Sequence, residues 1–185
     1  MLICFLHFAV SLTRKASTLQ PEAAHPDRDV PSTDFVAAGV MTAPSYLGWA
    51  LKFEELESRT LWLAKATPRA WLAPGGAPLV ARRLTTRYGR VSYTLAASGG
   101  RGGALTVRAN VSLPAGFAKA ATQPAGGVRL RLRVPVEHAG KLSAITVGGK
   151  TWQDFDAAAE TVNFKASALT AATLAGMGDI TAKFK

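Results

Sequence analysis

The 185-residue chain predicts a mainly β protein, an antiparallel β-sandwich, on three observations. Several stretches between residues 79 and 184 alternate apolar and polar side chains with a period of two, the pattern of a half-buried strand. Glycine- and proline-rich punctuation separates these stretches, at Pro74-Gly75-Gly76, 98–103, 114–127 and Gly148-Gly149. Seven or eight short strands divided in this way favour a sandwich over an open α/β sheet.

The β region opens at residues 61–95. Leu61 and Leu63 flank Trp62 in a first short strand closed by Pro68, and Arg69-Ala70-Trp71-Leu72 reads as one helical turn. Strands are expected at 79–84 and 90–95; in the second, Val91, Tyr93 and Leu95 alternate with Ser92 and Thr94. The glycine-rich 98–103 leads into a strand rather than a helix, so it reads as a hairpin loop and not as a phosphate cradle. In 104–113, Leu105, Val107, Val111 and Leu113 face one way, opposite Thr106, Arg108, Asn110 and Ser112. The sequon at Asn110 is given no role.

Residues 128–134, VRLRLRV, carry the cleanest alternation, with Val128, Leu130, Leu132 and Val134 inward and Arg129, Arg131 and Arg133 outward. The arginines lie about 6.6 Å apart by strand rise. They read either as a binding stripe for an anionic chain or, more simply, as an exposed strand kept soluble and shielded from edge pairing by charge. A hairpin at 142–152 turns at Gly148-Gly149, and strands at 160–165 and 180–184 close the system.

The first third is different. Residues 1–12 are apolar, but Arg14 and Lys15 follow the run instead of preceding it, so the segment lacks the order of a signal peptide. It is also well short of the about 20 residues that span a bilayer, and reads as buried helix with no membrane span, a secretion signal being the alternative. Pro21, Pro26 and Pro31 make 13–39 a long loop. A helix is expected over 40–53, with Thr42 as N-cap and Pro44 in its first turn. Its apolar residues run nearly all the way round, which calls for burial on more than one side. Residues 54–59 read as a charged connector.

Composition narrows the function classes. Lys and Arg number 22 against 12 Asp and Glu, a net charge of +10 that raises anionic partners. No basic run exceeds two residues and no aromatic series accompanies it, which argues against nucleic acid. The single Cys4 excludes an intramolecular disulfide, and His7, His25 and His138 have no second ligand at metal spacing. Asp154, Asp156 and Glu160 lack the glycine of a calcium loop and read as a turn with an Asp cap. No metal, cofactor or catalytic set is expected. Trp62, Trp71, Tyr88 and Trp152, able to stack on sugar rings, and Arg129, Arg131 and Arg133 are the candidate carbohydrate-binding residues, against the simpler reading of the aromatics as core.

The segments TLWLAKATPRAWL (60–72), TTRYGRVSYTL (85–95), VRLRLRVP (128–135), ITVGGKTW (145–152) and ETVNF (160–164) resemble the C-terminal β-sandwich of bacterial six-hairpin, (α/α)6-barrel glycosidase-like proteins. Residues 12–24 and 40–58 resemble the last helices of such a barrel and its substrate-side loop. The resemblance implies two parts, a helical and loop remnant at 1–58 and a sandwich at 59–185, in a C-terminal fragment that begins at an internal methionine. It leaves the compartment open, a secreted or periplasmic parent being one option, and it implies a sandwich that covers the end of an upstream barrel. The expectation is a non-catalytic accessory domain of a glycoside-hydrolase-like, carbohydrate-active protein, with a barrel or a polysaccharide as partner. The alternative is an independent carbohydrate-binding module, for instance for acidic polysaccharide. Glu22, on the substrate-side loop, is the one acidic residue singled out.

Overall fold

The computed structural model describes residues 37–99 and 103–185. The expectations for residues 1–36, including Cys4, His7, Glu22 and His25, fall outside the described residues, as does the tip of the 98–103 loop. The chain divides between Ala50 and Leu51 into two compact units.

The described part of the first unit lies in the helix α1 (Ala37–Leu51), whose last residue, Leu51, already belongs to the second unit. It starts five residues before Thr42, so Pro44 lies inside the helix rather than in its first turn. Ala37, Ala38 and Ala43, residues of the highest helix propensity, carry the helix through the proline. Tyr46 and Trp49 meet edge to face, ring centroids 5.4 Å apart, and both are exposed.

The second unit is mainly β and forms a sandwich of two sheets. Its strands are β1 (Lys52–Glu55), β2 (Thr60–Leu63), β3 (Leu79–Thr86), β4 (Gly89–Gly99), β5 (Leu105–Ser112) and β6 (Val128–Arg131). They continue as β7 (Leu142–Val147), β8 (Lys150–Trp152), β9 (Phe155–Asp156), β10 (Thr161–Phe164) and β11 (Ile180–Phe184), with a short helix α2 (Ala171–Gly176) between β10 and β11. One sheet has the order β1-β2-β6-β10-β9 and the other β3-β4-β5-β11-β7-β8. All described pairings are antiparallel except β2 with β6.

Alternation places the core as expected. Val91, Tyr93, Leu95, Leu105, Val107 and Phe184 of the six-stranded sheet join Leu61, Leu63, Val128, Leu130, Val162 and Phe164 of the five-stranded sheet in one buried cluster. Gly148 and Gly149, both at positive φ, make the tight turn between β7 and β8, where Val147 pairs with Lys150. The helical turn at Arg69–Leu72 is a 3-10 turn.

Three local expectations are corrected. Residues 52–55 are neither helix tail nor charged connector but strand β1, because pairing with β2 through a short reversal satisfies their backbone and overrides local propensity. The arginine-bearing strand is not an exposed edge. β6 is the centre of its sheet, hydrogen-bonded to β2 on one side and β10 on the other, so its arginines cannot serve as edge protection. The described strands number eleven rather than seven or eight; β1 and the two-residue β9 carry no alternation long enough to read.

The parallel β2–β6 pair depends on two glycines. Gly126 N–H donates to Arg59 O at 3.0 Å and Leu61 N–H to Gly127 O at 3.0 Å, bringing two distant stretches of backbone into contact. A Cβ at Gly126 would collide with Ser58 O and Thr60 Oγ1, and one at Gly127, whose φ is +81°, with Phe164 O.

Candidate functional site

Inward burial of Leu61, Leu63, Val128, Leu130 and Val162 turns the intervening residues of β2, β6 and β10 onto the outer face of the five-stranded sheet. Register then sets Phe53 opposite Trp62, Trp62 opposite Arg129, and Arg129 opposite Asn163, one row across four strands. The row is held by charge and π electrons. Lys65 Nζ lies 4.0 Å from the Phe53 ring centroid and 4.9 Å from that of Trp62, while the Arg129 guanidinium lies 5.0 Å from Trp62.

Glu55 answers part of this charge, with Lys65 Nζ at 3.7 Å and the Ser58 hydroxyl donating at 2.6 Å. The Ser58 hydrogen bond holds the Glu55 carboxyl below its ordinary 4.5. Burial opposes this, while Lys65 and Arg129 add to it.

Farther along β6 and just beyond it lies a group of arginines. Arg69 Nη1 donates to both oxygens of the buried Glu160 at 2.9 Å and to Val134 O at 2.6 Å, and Glu160 Oε1 also accepts Gly140 N–H at 3.0 Å. Arg131 donates to two carbonyls, Ala159 O at 3.2 Å and Lys65 O at 3.3 Å. Arg133 is half-buried, and its buried Nε has no hydrogen-bond partner among the described residues. Desolvation, then the neighbouring Arg69 and Arg131, pull the Arg133 pKa down, with Glu160 opposing.

The candidate residues therefore separate. Trp62, Arg129, Arg131 and Arg133 share the five-stranded sheet. Trp71 is elsewhere, lining a shallow cavity of about 390 Å³ with Ala70, Pro78, Leu79 and Val80. Tyr88 packs edge to face on the buried Phe117 at 6.1 Å. Trp152 packs on Phe164 at 5.1 Å and donates its N–H to Asp154 O and Asn163 O. Tyr88 and Trp152 thus do core and turn work. Asp156 caps a turn by accepting Ala159 N–H at 2.9 Å, as its sequence position suggested. His138 is buried with Nδ1 3.2 Å from Lys185 O. Among the described residues no three His, Cys, Asp or Glu side chains gather as a metal site, and no helix is long and apolar enough to cross a membrane.

Phe53, Lys65, Arg69 and Glu160 were not legible as site residues. Phe53 read as a helix residue and Arg69 as part of one helical turn, and Lys65 carried no reading of its own; the β1–β2–β6 register brings Phe53 beside Trp62 and Arg129. Comparison with known protein families, curated proteins and solved structures finds no match to this chain.

Proposed function

We propose that the chain is a non-catalytic β-sandwich accessory domain of a glycoside-hydrolase-like, carbohydrate-active protein, and that it meets glycan through the outer face of its five-stranded sheet. The observation carrying this reading is the row Phe53–Trp62–Arg129–Asn163, in which an indole, a guanidinium and an amide sit on the outward side of a sheet instead of in the core. Aromatic rings offer an apolar surface to the C–H faces of sugars, and the flanking polar groups suit hydroxyls. The carboxylates Glu54, Glu55, Asp154 and Glu160 are engaged with cations of the same unit, a structural use rather than acid–base chemistry. An independent carbohydrate-binding module would use the same face and differ only in needing no upstream barrel.

The test is tryptophan fluorescence of the full chain titrated with neutral and acidic polysaccharides, with reducing ends followed in parallel. A saturable shift with at least one glycan, lost in Trp62→Ala and kept in Trp71→Ala, without reducing-end release, is expected. Release of reducing ends, or no shift with any glycan, overturns the reading.

A further inference from the structure

Three guanidinium groups, Arg69, Arg131 and Arg133, share the neighbourhood of one carboxylate, Glu160. That carboxylate is already committed to Arg69 and to Gly140 N–H. Arg131 spends its donors on two backbone carbonyls, which carry no full charge. The Arg133 Nε, shut off from water, has no hydrogen-bond partner among the described residues. A buried donor without a partner costs free energy, and a guanidinium beside two like charges costs more. The fold tolerates the group without using it.

From this we infer that Arg133, backed by Arg69 and Arg131, is the anchor for a carboxylate of an acidic glycan, a uronic-acid-bearing chain, lying along β6 toward Trp62. The inference rests on the glycan reading above and gives it a ligand class. A guanidinium fork matches a carboxylate with two parallel hydrogen bonds, and an anion meeting the Nη side of Arg133, rather than its buried Nε, would relieve the repulsion among the arginines. Arg129 and Lys65 continue the positive charge to the Trp62 and Phe53 rings, so cations and an apolar surface alternate along one face as a charged sugar chain requires. A nucleic acid fits less well. Phe53 and Trp62 lie in one row across the strands, so they form no series of platforms along β6 for successive bases.

The experiment is calorimetric titration of the full chain with four probes: oligogalacturonate, the same oligomer fully methyl-esterified, inorganic phosphate and oligothymidylate. Oligogalacturonate is expected to bind in a salt-sensitive way, and esterification to weaken it by about tenfold or more, the usual scale for losing a charged hydrogen-bond partner. Arg133→Gln is expected to cause a similar loss without lowering Tm, because the buried Arg133 Nε has no hydrogen-bond partner among the described residues. Arg133→Lys, which keeps the charge but not the fork, is expected to fall between. Equal binding of acid and ester overturns this inference and leaves the glycan reading standing. Binding of neither overturns both. Phosphate binding as tight as the oligomer's would mean a lone-anion site, and tighter oligothymidylate binding a nucleic-acid face; each overturns the inference. A fall in Tm in Arg133→Gln with unchanged oligogalacturonate affinity would assign Arg133 to the fold and do the same.

Discussion

Arg69 and Glu160, 91 residues apart, form an ion pair at 2.9 Å in which the glutamate is 1% exposed and the arginine 27%. The pair ties the 3-10 turn after β2 to the residue that leads into β10, and Glu160 holds it from a left-handed backbone at φ +56°. Removing one member of a buried pair leaves the other charge uncompensated. Arg69→Ala should therefore destabilise by about 3–5 kcal/mol, more than Glu160→Gln, which leaves behind only a partly exposed arginine. Urea unfolding of both single variants and the double variant checks this; an Arg69→Ala cost below that of Glu160→Gln would contradict it.

Gly126→Ala should weaken the parallel β2–β6 pair, since a Cβ meets Ser58 O and Thr60 Oγ1. The expected cost is about 1–3 kcal/mol, the range for overpacked sites. Hydrogen exchange should show the loss first at Leu61 N–H, which donates to Gly127 O.

The Tyr93 hydroxyl, deep in the core, donates to Leu51 O at 2.8 Å. Tyr93→Phe should cost about 1 kcal/mol. Burial raises the Tyr93 pKa above its ordinary 10.0. Because the folded value is the higher one, the stability it contributes is complete below pH 10 and declines as pH rises beyond it. Thermal melts from pH 9 to 11 should show a steeper decline in the parent than in Tyr93→Phe.

Glu55 has the opposite sign. Its folded pKa lies below the ordinary 4.5, so its contribution is present above that pH and is lost as pH falls through the folded value. Ser58→Ala, which removes the largest cause, should move the carboxyl back up toward 4.5, as read by carbon NMR titration.

Strand positions and inward residues were legible because alternation is local: Val128, Leu130, Val91, Tyr93 and Leu95 are all buried as their period requires. Neighbourhood was not. Nothing in VRLRLRV shows that β6 pairs parallel with residues 61–63, and that pairing turns an apparent exposed stripe into the middle of a sheet. The site suffers the same limit. Trp62 and Arg129 were both singled out as residue types, but their contact at 5.0 Å, and the place of Lys65 over Phe53, arise from register between strands distant in sequence. Helix α1 begins before its expected start because Ala37, Ala38 and Ala43 favour helix ahead of Pro44, a residue equally at home in a first turn.

The most direct test of the central claim is nitrogen-15 chemical-shift mapping of the full chain with oligogalacturonate. Saturable shifts at the Trp62 indole N–H, the Arg133 Nε–H and the amides of β6 are the predicted result. Shifts confined to the cavity beside Trp71 and Val80, or none at any of these groups, would contradict the assignment of the five-stranded sheet's outer face as the glycan surface.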